Sequence, residues 1–167
     1  MAAARSIGRH GERDAGLIWI CYSHALRVSE LVALKWEAVV FATGKLLINR
    51  RYHGGLAEHE ISQEDIDVFR ALKVLPKSSD YVFCSERGKA MRSRVVHTII
   101  ARAGKVAGLG NAVHPQMLRD SCGLALANEG RDLAEIQAFL GNRKIEKVAA
   151  YVARAQLPDG DAQLDGH

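Results

Sequence analysis

The chain reads HPQMLRDSCGLALAN over residues 114–128, and this stretch predicts an amphipathic helix. Proline is favoured in the first turn of a helix because the backbone N–H that it lacks would have no partner there, so Pro115 marks the start. Gly130 marks the end. One face of the helix is small or apolar, and its members are Met117, Leu118, Ser121, Cys122, Ala125 and Leu126. The helix carries Arg119 in its second turn.

Further helices are predicted on both sides of this one, because apolar residues recur at helical spacing between capping or breaking residues. They cover residues 14–34, with a break at 23–25 and a restart at Arg27, then the stretch from Ser62 to Pro76, residues 93–106, the stretch from Asp132 to Gly141, and residues 144–155.

A small sheet is predicted between the second and third of these helices. Three β-prone runs are separated by short turns and suit an antiparallel meander. The runs are residues 38–41, 45–49 and 56–61. The predicted fold class is therefore mixed, mainly α, with a small antiparallel three-stranded β-sheet. We expect a short basic segment over residues 1–13, one domain over 14–156, and a flexible tail over 157–167.

The composition excludes several classes of protein. The chain has 167 residues, of which 48% are hydrophobic and 25% charged, and a formal net charge of +4. The longest apolar run, residues 15–21, is far shorter than the roughly 20 residues that cross a bilayer, and no secretory signal is visible. We therefore predict a cytoplasmic protein with no membrane contact. The positive charge favours an anionic partner such as nucleic acid.

The three cysteines, Cys21, Cys84 and Cys122, lie far apart in sequence and form no C-x-x-C pair. This pattern predicts buried thiols, with neither a disulfide framework nor a zinc site.

Three stretches fall in the order and spacing found in tyrosine recombinases of the phage-integrase family. They are ALRVSEL at residues 25–31, HPQMLR at residues 114–119, and LGN at residues 140–142 with Tyr151 nine residues later. The resemblance covers residues 16–155. It is greatest to the small invertases that switch fimbrial genes, which are similar at residues 121–128, at Ile136-Gln137 and at Arg143. It implies the DNA breaking-rejoining catalytic fold.

This resemblance implies cutting and rejoining of DNA without a metal or cofactor. In the family, a tyrosine attacks the scissile phosphate and forms a 3′-phosphotyrosyl link, which a 5′-hydroxyl later reverses. Arg27 and Arg119 match the two phosphate-binding arginines, and Tyr151 matches the nucleophile. These residue types suit the chemistry, because the attacked phosphate gathers negative charge and guanidinium groups stabilise that charge at any working pH.

Several positions depart from the family pattern. The lysine that protonates the leaving 5′-oxygen is replaced by Tyr52, and the histidine of H-x-x-R is replaced by Gln116. The position after Leu-Gly, usually His or Trp, is Asn142, and the histidine that often follows the second arginine is Asp120. Amide side chains cannot exchange a proton near neutral pH. The active site is therefore predicted to be incomplete. Each lost general acid or base typically lowers the reaction rate by about 10² to 10⁴.

His53, His59 and His114 lie near these positions in the sequence. A one-residue step along a strand turns His53 to the face opposite position 52, and His114 precedes Pro115 and so lies outside the helix. We expect none of them to supply the missing proton transfer, although a shifted register of the hairpin would change this expectation.

Double-stranded DNA is the predicted partner, and other recombinase protomers are a second one, since members of the family act as tetramers on two DNA sites. No small-molecule substrate is expected.

Basic residues in hairpin, loop or helix-start positions are candidates to bind DNA phosphates, with scattered surface cations as the alternative. The candidates are Arg50, Arg51, Arg87, Lys89, Arg92, Arg94, Arg143, Lys144 and Lys147. Because only a short basic segment precedes Gly16 where the family has a DNA-clamping domain, we expect weak, salt-dependent affinity.

Two functions stay open. The chain is either an enzyme that cuts and rejoins DNA through Tyr151, or a catalytically silent relative that only binds DNA or partner recombinases. The missing proton-transfer groups favour the second for activity, and the resemblance favours the first. An unrelated helical domain would need three spaced stretches to agree by chance. Taken singly, Arg27 and Arg119 suit surface ion pairs, Tyr151 suits a core, and Glu30 is predicted to be structural.

Overall fold

A computed structural model describes residues 2–50, 55–75 and 79–156 of the chain. Helices dominate this part of the chain, and one small sheet accompanies them. The helices are α1 (Ala2–Arg5), α2 (Gly11–Ser23), α3 (Val28–Ala33), α4 (Gln63–Lys73), α5 (Ser93–Val106), α6 (Pro115–Asn128), α7 (Leu133–Leu140) and α8 (Ile145–Ala155). The strands are β1 (Val39–Val40), β2 (Lys45–Arg50) and β3 (Gly55–Glu60). The predicted fold class is confirmed.

The sheet is an antiparallel meander in the order β1-β2-β3. Leu46 of β2 pairs with Val39 on one side and with His59 on the other. Leu46, Ile48 and Arg50 alternate along β2 and are all buried, so one face of this strand lies against the protein interior. The side chain of Arg50, the last residue of β2, therefore lies on the interior face of the sheet.

The break between α2 and α3 lies where the sequence predicts it. Helix α2 ends at Ser23, and Ala25 has a positive φ of 49°. A residue with a Cβ rarely adopts this conformation, so the chain is held there by its surroundings. Arg27 then stands in extended conformation as the N-cap of α3.

One predicted helix boundary differs from the structure. Helix α2 begins at Gly11, three residues before the predicted position 14. The segment before it includes α1, which packs with α5 and buries Ala4 against Ala15 and Ala103. The predicted stop at Pro76 and the predicted tail at 157–167 lie outside the described residues.

The core has two main clusters. The larger one surrounds α2, where Leu17 and Ile20 are fully buried, and includes Phe69 of α4 and Phe83. The smaller one joins α6, α7 and α8 to the turn after α2, and its buried members are Ala25, Cys122, Ile136, Leu140 and Val148. The candidate site residues Arg119 and Tyr151 belong to the helices of this smaller cluster.

All three cysteines have free thiols. The prediction of burial is right for Cys21 and Cys122, and burial raises the pKa of these thiols to about 12 and about 11. The prediction is wrong for Cys84, which is partly exposed because it lies in a loop joined to Ala90 by a single β-bridge.

Candidate active site

The C-terminal end of α7 organises the site. The last carbonyls of a helix have no partner within it and carry partial negative charge, so they attract cations. Arg27 donates through Nη2 to the carbonyl of Gly141 at 3.1 Å, and Arg119 donates to the carbonyl of Leu140. Two arginines separated by about ninety residues in sequence thus meet at adjacent carbonyls. Gly141 ends the helix with a φ of +58°, a conformation that favours glycine.

Arg27 is held in place by Glu30. The guanidinium donates to Oε1 of Glu30 at 2.8 Å, and the backbone N–H of Arg27 donates to Oε2 of the same carboxylate at 2.9 Å. The side chain of Arg27 keeps 26% exposure, whereas that of Glu30 keeps only 7%. Arg27 also lines an open cavity of about 540 Å³ beside β2. The guanidinium is therefore fixed at its base and accessible to a ligand.

Arg119 is far more enclosed. Its guanidinium donates to the carbonyl of Ala25, to the carbonyl of Leu140 and, at 2.9 Å, to Oδ1 of Asn142. Burial, followed by the charges of Arg27 and Arg50, lowers the pKa of Arg119 to about 10. This value still leaves the group protonated at neutral pH. The three guanidinium groups repel one another here, and the single carboxylate of Glu30 offsets only part of their positive charge, which favours binding of an anion.

Tyr151 approaches the same region from α8. Its ring packs on α6 at Gly123, and its hydroxyl donates to Oδ1 of Asp120 at 2.7 Å. Burial, followed by the hydrogen bond to Asp120, raises the pKa of Tyr151 to about 12. The charge of Arg119 acts on the phenol in the opposite sense. The phenol is therefore neutral at rest and within electrostatic reach of the Arg119 guanidinium.

The sequence matches the Phage integrase family over residues 1–157. The chain belongs to the phage integrase family. Type 1 fimbriae regulatory protein FimB of Escherichia coli K12 is 32% identical over 155 residues, which are 90% of this chain and 78% of that protein. FimE of the same strain is 33% identical over 159 residues, covering 92% and 80%. Tyrosine recombinase XerC of Oceanobacillus iheyensis is 30% identical and covers 84% of this chain but 49% of its own length.

Solved structures of recombinases share the fold. XerA recombinase superposes with a TM-score of 0.72 at 20% identity, covering 88% of this chain and 59% of its own. XerH bound to palindromic difH substrate, a post-cleavage complex, gives a TM-score of 0.77 at 21% identity, covering 93% and 47%. This phage-integrase chain thus spans about half to three-fifths of the length of these solved recombinases.

Gln116 and Asn142, two positions predicted from the resemblance to depart from the family pattern, lie near Tyr151 and Arg119. Gln116 is exposed at the start of α6 and donates to Oδ1 of Asp120 at 2.7 Å. Asn142 accepts from Arg119. Tyr52, which the resemblance predicts to stand in place of the family lysine, lies outside the described residues. Two of the substituted side chains thus hydrogen-bond to groups of the site.

The three histidines considered as substitutes have different surroundings. His59 is 4% exposed and its ring stacks on Phe139 with centroids 4.0 Å apart. Burial, followed by the charges of His24 and Arg50, lowers the pKa of His59 to about 3, so its ring is neutral in physiological conditions. His114 is exposed at the N-cap of α6. His53 lies outside the described residues.

Most of the basic residues predicted to meet DNA are exposed. They are Arg87, Lys89, Arg92, Arg94, Arg143, Lys144 and Lys147. Arg50 differs, because it is 3% exposed and donates to the carbonyls of Phe139, at 2.6 Å, and Leu140. Contact of Arg50 with a DNA backbone does not fit this placement, whereas support of the α7 end does. Arg51 lies outside the described residues.

Sequence reasoning missed a buried polar chain that ends at Arg50. Nη2 of Arg50 is 3.2 Å from Nε2 of His59, and Nδ1 of His59 is 3.4 Å from Nδ1 of His24. Nε2 of His24 is 3.5 Å from Asp65, which also accepts from Trp19 at 2.8 Å. The chain connects α2 and α4 with the α7 end. Its only sequence signal was the presence of polar residues at inward-facing strand positions.

Within the described ranges, no group of three or more His, Cys, Asp or Glu side chains is arranged to hold a metal ion. In the same ranges no helix is long and apolar enough to span a bilayer.

Proposed function

We propose that this chain cuts and rejoins double-stranded DNA at specific sites through Tyr151, with an active site that lacks several of the groups its relatives use. The observation that carries the proposal is the convergence of Arg27 and Arg119 on adjacent carbonyls at the end of α7, with Tyr151 packed on the helix of Arg119. Two cations can stabilise the charge that develops on an attacked phosphodiester, and a phenol can capture the phosphorus covalently.

The electrostatics support phosphate binding at this point. Each guanidinium raises the energy of the other because both are positive, and an anion between them removes this repulsion. Arg27 has side-chain exposure and borders a cavity, so it offers the entry for a phosphate. Arg119 is buried and directed by three protein acceptors, so it offers a fixed geometry. Preorganised charge of this kind stabilises a transition state without reorganisation.

The exposed cations of the loop before α5 and of the segment between α7 and α8 support binding of the DNA backbone. Arg92 is the N-cap residue of α5, whose first amide groups are unpaired within the helix, so cation and amides can contact one phosphate. Lys144 is the N-cap of α8, the helix that carries Tyr151. XerH is bound to a difH substrate in its solved complexes, and we extend double-stranded DNA to this chain as its substrate.

A second candidate function is DNA or recombinase binding without cleavage. It is favoured by Gln116 and Asn142, which stand where proton-transferring residues are usual, and by the raised pKa of Tyr151. Loss of one general acid or base typically costs about 10² to 10⁴ in rate, and such losses are not additive. Cleavage by this chain is therefore expected to be slow. Other recombinase protomers are the partner that this second function would serve.

The test is formation of a covalent DNA adduct. The chain is incubated with a pool of nicked duplexes whose sequence around the nick is randomised, and labelled DNA is followed on denaturing gels. A labelled protein band that is absent from Tyr151→Phe supports cleavage through Tyr151. A band that persists in Tyr151→Phe refutes this nucleophile. If no band forms while the same DNA shifts on native gels at low salt, the chain has the binding function alone.

A further inference from the structure

We propose that Asp120 is the proton acceptor of Tyr151 and takes over, in this chain, the proton transfer that a histidine at position 116 would provide. The inference rests on the proposed cleavage function, since a proton acceptor has a role only when the phenol attacks phosphorus. It assigns a catalytic role to Asp120, at a position where the family often has a histidine.

The geometry around one carboxylate oxygen supports this role. The hydroxyl of Tyr151 donates to Oδ1 of Asp120 at 2.7 Å, and Nε2 of Gln116 donates to the same oxygen at 2.7 Å. The second contact holds the carboxylate toward the phenol. Asp120 directly follows Arg119 on α6, so the acceptor and a phosphate-binding guanidinium are fixed by one rigid helix. Position and direction of the acceptor are thus set before DNA binds.

In the part of the chain that the structure describes, the neighbours of the phenol offer no other proton acceptor of comparable placement. The charged or titratable groups that act on Tyr151 are Asp120, Arg119 and Cys122. Arg119 is a cation without an acceptor lone pair, and Cys122 is buried with a raised pKa and makes its contact with the carbonyl of Ser23. Gln116 is an amide and cannot take a proton near neutral pH. Among the described residues near the phenol, Asp120 alone combines contact with basicity.

In the proposed cleavage step, Tyr151 captures the phosphorus covalently and Asp120 takes the phenolic proton. The bond between Oη of Tyr151 and phosphorus forms, the bond between phosphorus and O5′ breaks, and the phenolic proton moves to Oδ1 of Asp120. O5′ leaves with the bonding pair and takes a proton from water. In rejoining, the 5′-hydroxyl attacks phosphorus and loses its proton to water, while protonated Asp120 returns its proton to the departing phenolate.

The test uses a leaving group that needs no proton, so that nucleophile activation is measured alone. The probe is a pool of duplexes with randomised sequence around one 5′-bridging phosphorothiolate, whose thiolate leaves unprotonated. Adduct formation is compared between the unchanged chain, Asp120→Asn and Glu129→Gln. Glu129 is the matched control, because it is an exposed carboxylate at the C-cap of the same helix.

Asp120→Asn is expected to slow adduct formation by about 10²-fold or more, and Glu129→Gln to leave it unchanged. The unchanged chain is expected to react at a rate that varies little between about pH 7 and pH 9, because attack assisted by a proton acceptor does not depend on the fraction of free phenolate. The rate of the Asn variant is expected to rise about tenfold for each unit by which the pH is raised, because only the phenolate form of Tyr151 attacks in this variant. Ultraviolet titration, with Tyr151→Phe to identify the signal, is expected to give the Asn variant a lower phenol pKa.

Three results would overturn the inference. Equal rates for the unchanged chain and Asp120→Asn would remove Asp120 from catalysis and leave cleavage through Tyr151 intact. A faster Asp120→Asn would also overturn it, because the hydrogen bond would then restrain the nucleophile. If the unchanged chain forms no adduct with the phosphorothiolate pool, the proposed cleavage function fails and the inference fails with it. Asp120→Glu, which keeps a carboxylate, is expected to retain the flat pH profile, so a folding defect in the Asn variant cannot imitate the result.

Discussion

The ring of Tyr151 packs directly on the backbone of Gly123, one helical turn after Arg119. A methyl group at position 123 would stand 2.9 Å from Cε2 and 3.0 Å from Cδ2 of the ring, closer than carbon atoms approach without displacement. The absence of a side chain at this position therefore allows α8 to bring its phenol against α6. The distance between the proposed nucleophile and the arginine helix depends on this glycine.

Gly123→Ala is expected to displace Tyr151 and lower the free energy of unfolding by about 1–3 kcal/mol, the usual range for overpacking. Adduct formation is expected to fall with it, because a displacement of about 1 Å can cost about 10²-fold in rate. Urea denaturation and the nicked-duplex assay measure the two effects. Gly110→Ala is the matched control, since a methyl group there meets nothing within 4 Å. Equal behaviour of the two variants would contradict close packing at Gly123.

Glu30→Ala is expected to lower the free energy of unfolding by about 1–2 kcal/mol, because it removes the acceptor of the Arg27 backbone N–H at the start of α3. Glu30→Gln keeps an acceptor oxygen and loses only the charge, so its loss of stability is expected to be smaller. Both variants lose the ion pair between Arg27 and Glu30, which leaves Arg27 held less firmly, and both are expected to slow adduct formation. A Gln variant as unstable as the Ala variant would assign the effect to the ion pair and not to the cap.

Arg50→Ala is expected to lower the stability of the protein, whereas Arg92→Ala is expected to lower its affinity for DNA. Loss of Arg50 leaves the carbonyl of Phe139 without this donor in the interior, which costs about 1–3 kcal/mol of stability or more. Loss of Arg92, an exposed N-cap residue, is expected to leave stability within about 0.5 kcal/mol. It is expected to weaken DNA binding and reduce the slope of log K against log salt by about one. Urea denaturation and DNA titrations at several salt concentrations separate the two roles.

The parts of the fold that the sequence predicts well depend on local signals. The bounds of α5, Ser93–Val106, agree with the prediction because its apolar residues follow the helical period without interruption. Ser62 and Asp132 cap their helices as predicted, each accepting from the amide three residues later. The meander follows from turn residues between β-prone runs.

Contacts between distant residues were not predictable in the same way. Arg50 was placed among the DNA-binding cations because its neighbours in sequence suggest a hairpin surface, yet its acceptors lie about ninety residues later. The hydrogen bond between Asp120 and Tyr151 joins positions 31 residues apart on different helices. Composition and periodicity carry no information on such pairs, since the helix crossing alone decides which side chains meet.

His59 is expected to make the protein sensitive to mild acid. Its folded pKa is about 3, whereas an unfolded histidine has a pKa of about 6.5, so between these values the unfolded chain binds a proton that the folded chain does not. The free energy of unfolding therefore falls as pH falls from about 6.5 toward 3, by up to about 1.4 kcal/mol per pH unit. Between pH 7 and pH 5 this amounts to about 2 kcal/mol. Asp65, whose pKa is lowered in the folded state because contacts with His24 and Ser62 outweigh burial, acts only at lower pH.

The acid sensitivity is therefore tested by measuring the free energy of unfolding at pH 7 and at pH 5 by urea denaturation. His59→Gln cannot titrate and is expected to lose about 2 kcal/mol less than the unchanged chain over this interval. His97→Gln, an exposed histidine of α5, is expected to behave like the unchanged chain. NMR titration of the His59 ring gives an independent reading, because the ring is expected to stay neutral at pH 5. A ring that protonates between pH 7 and pH 5 would remove the physical basis of the acid sensitivity, whatever the stability of the Gln variant.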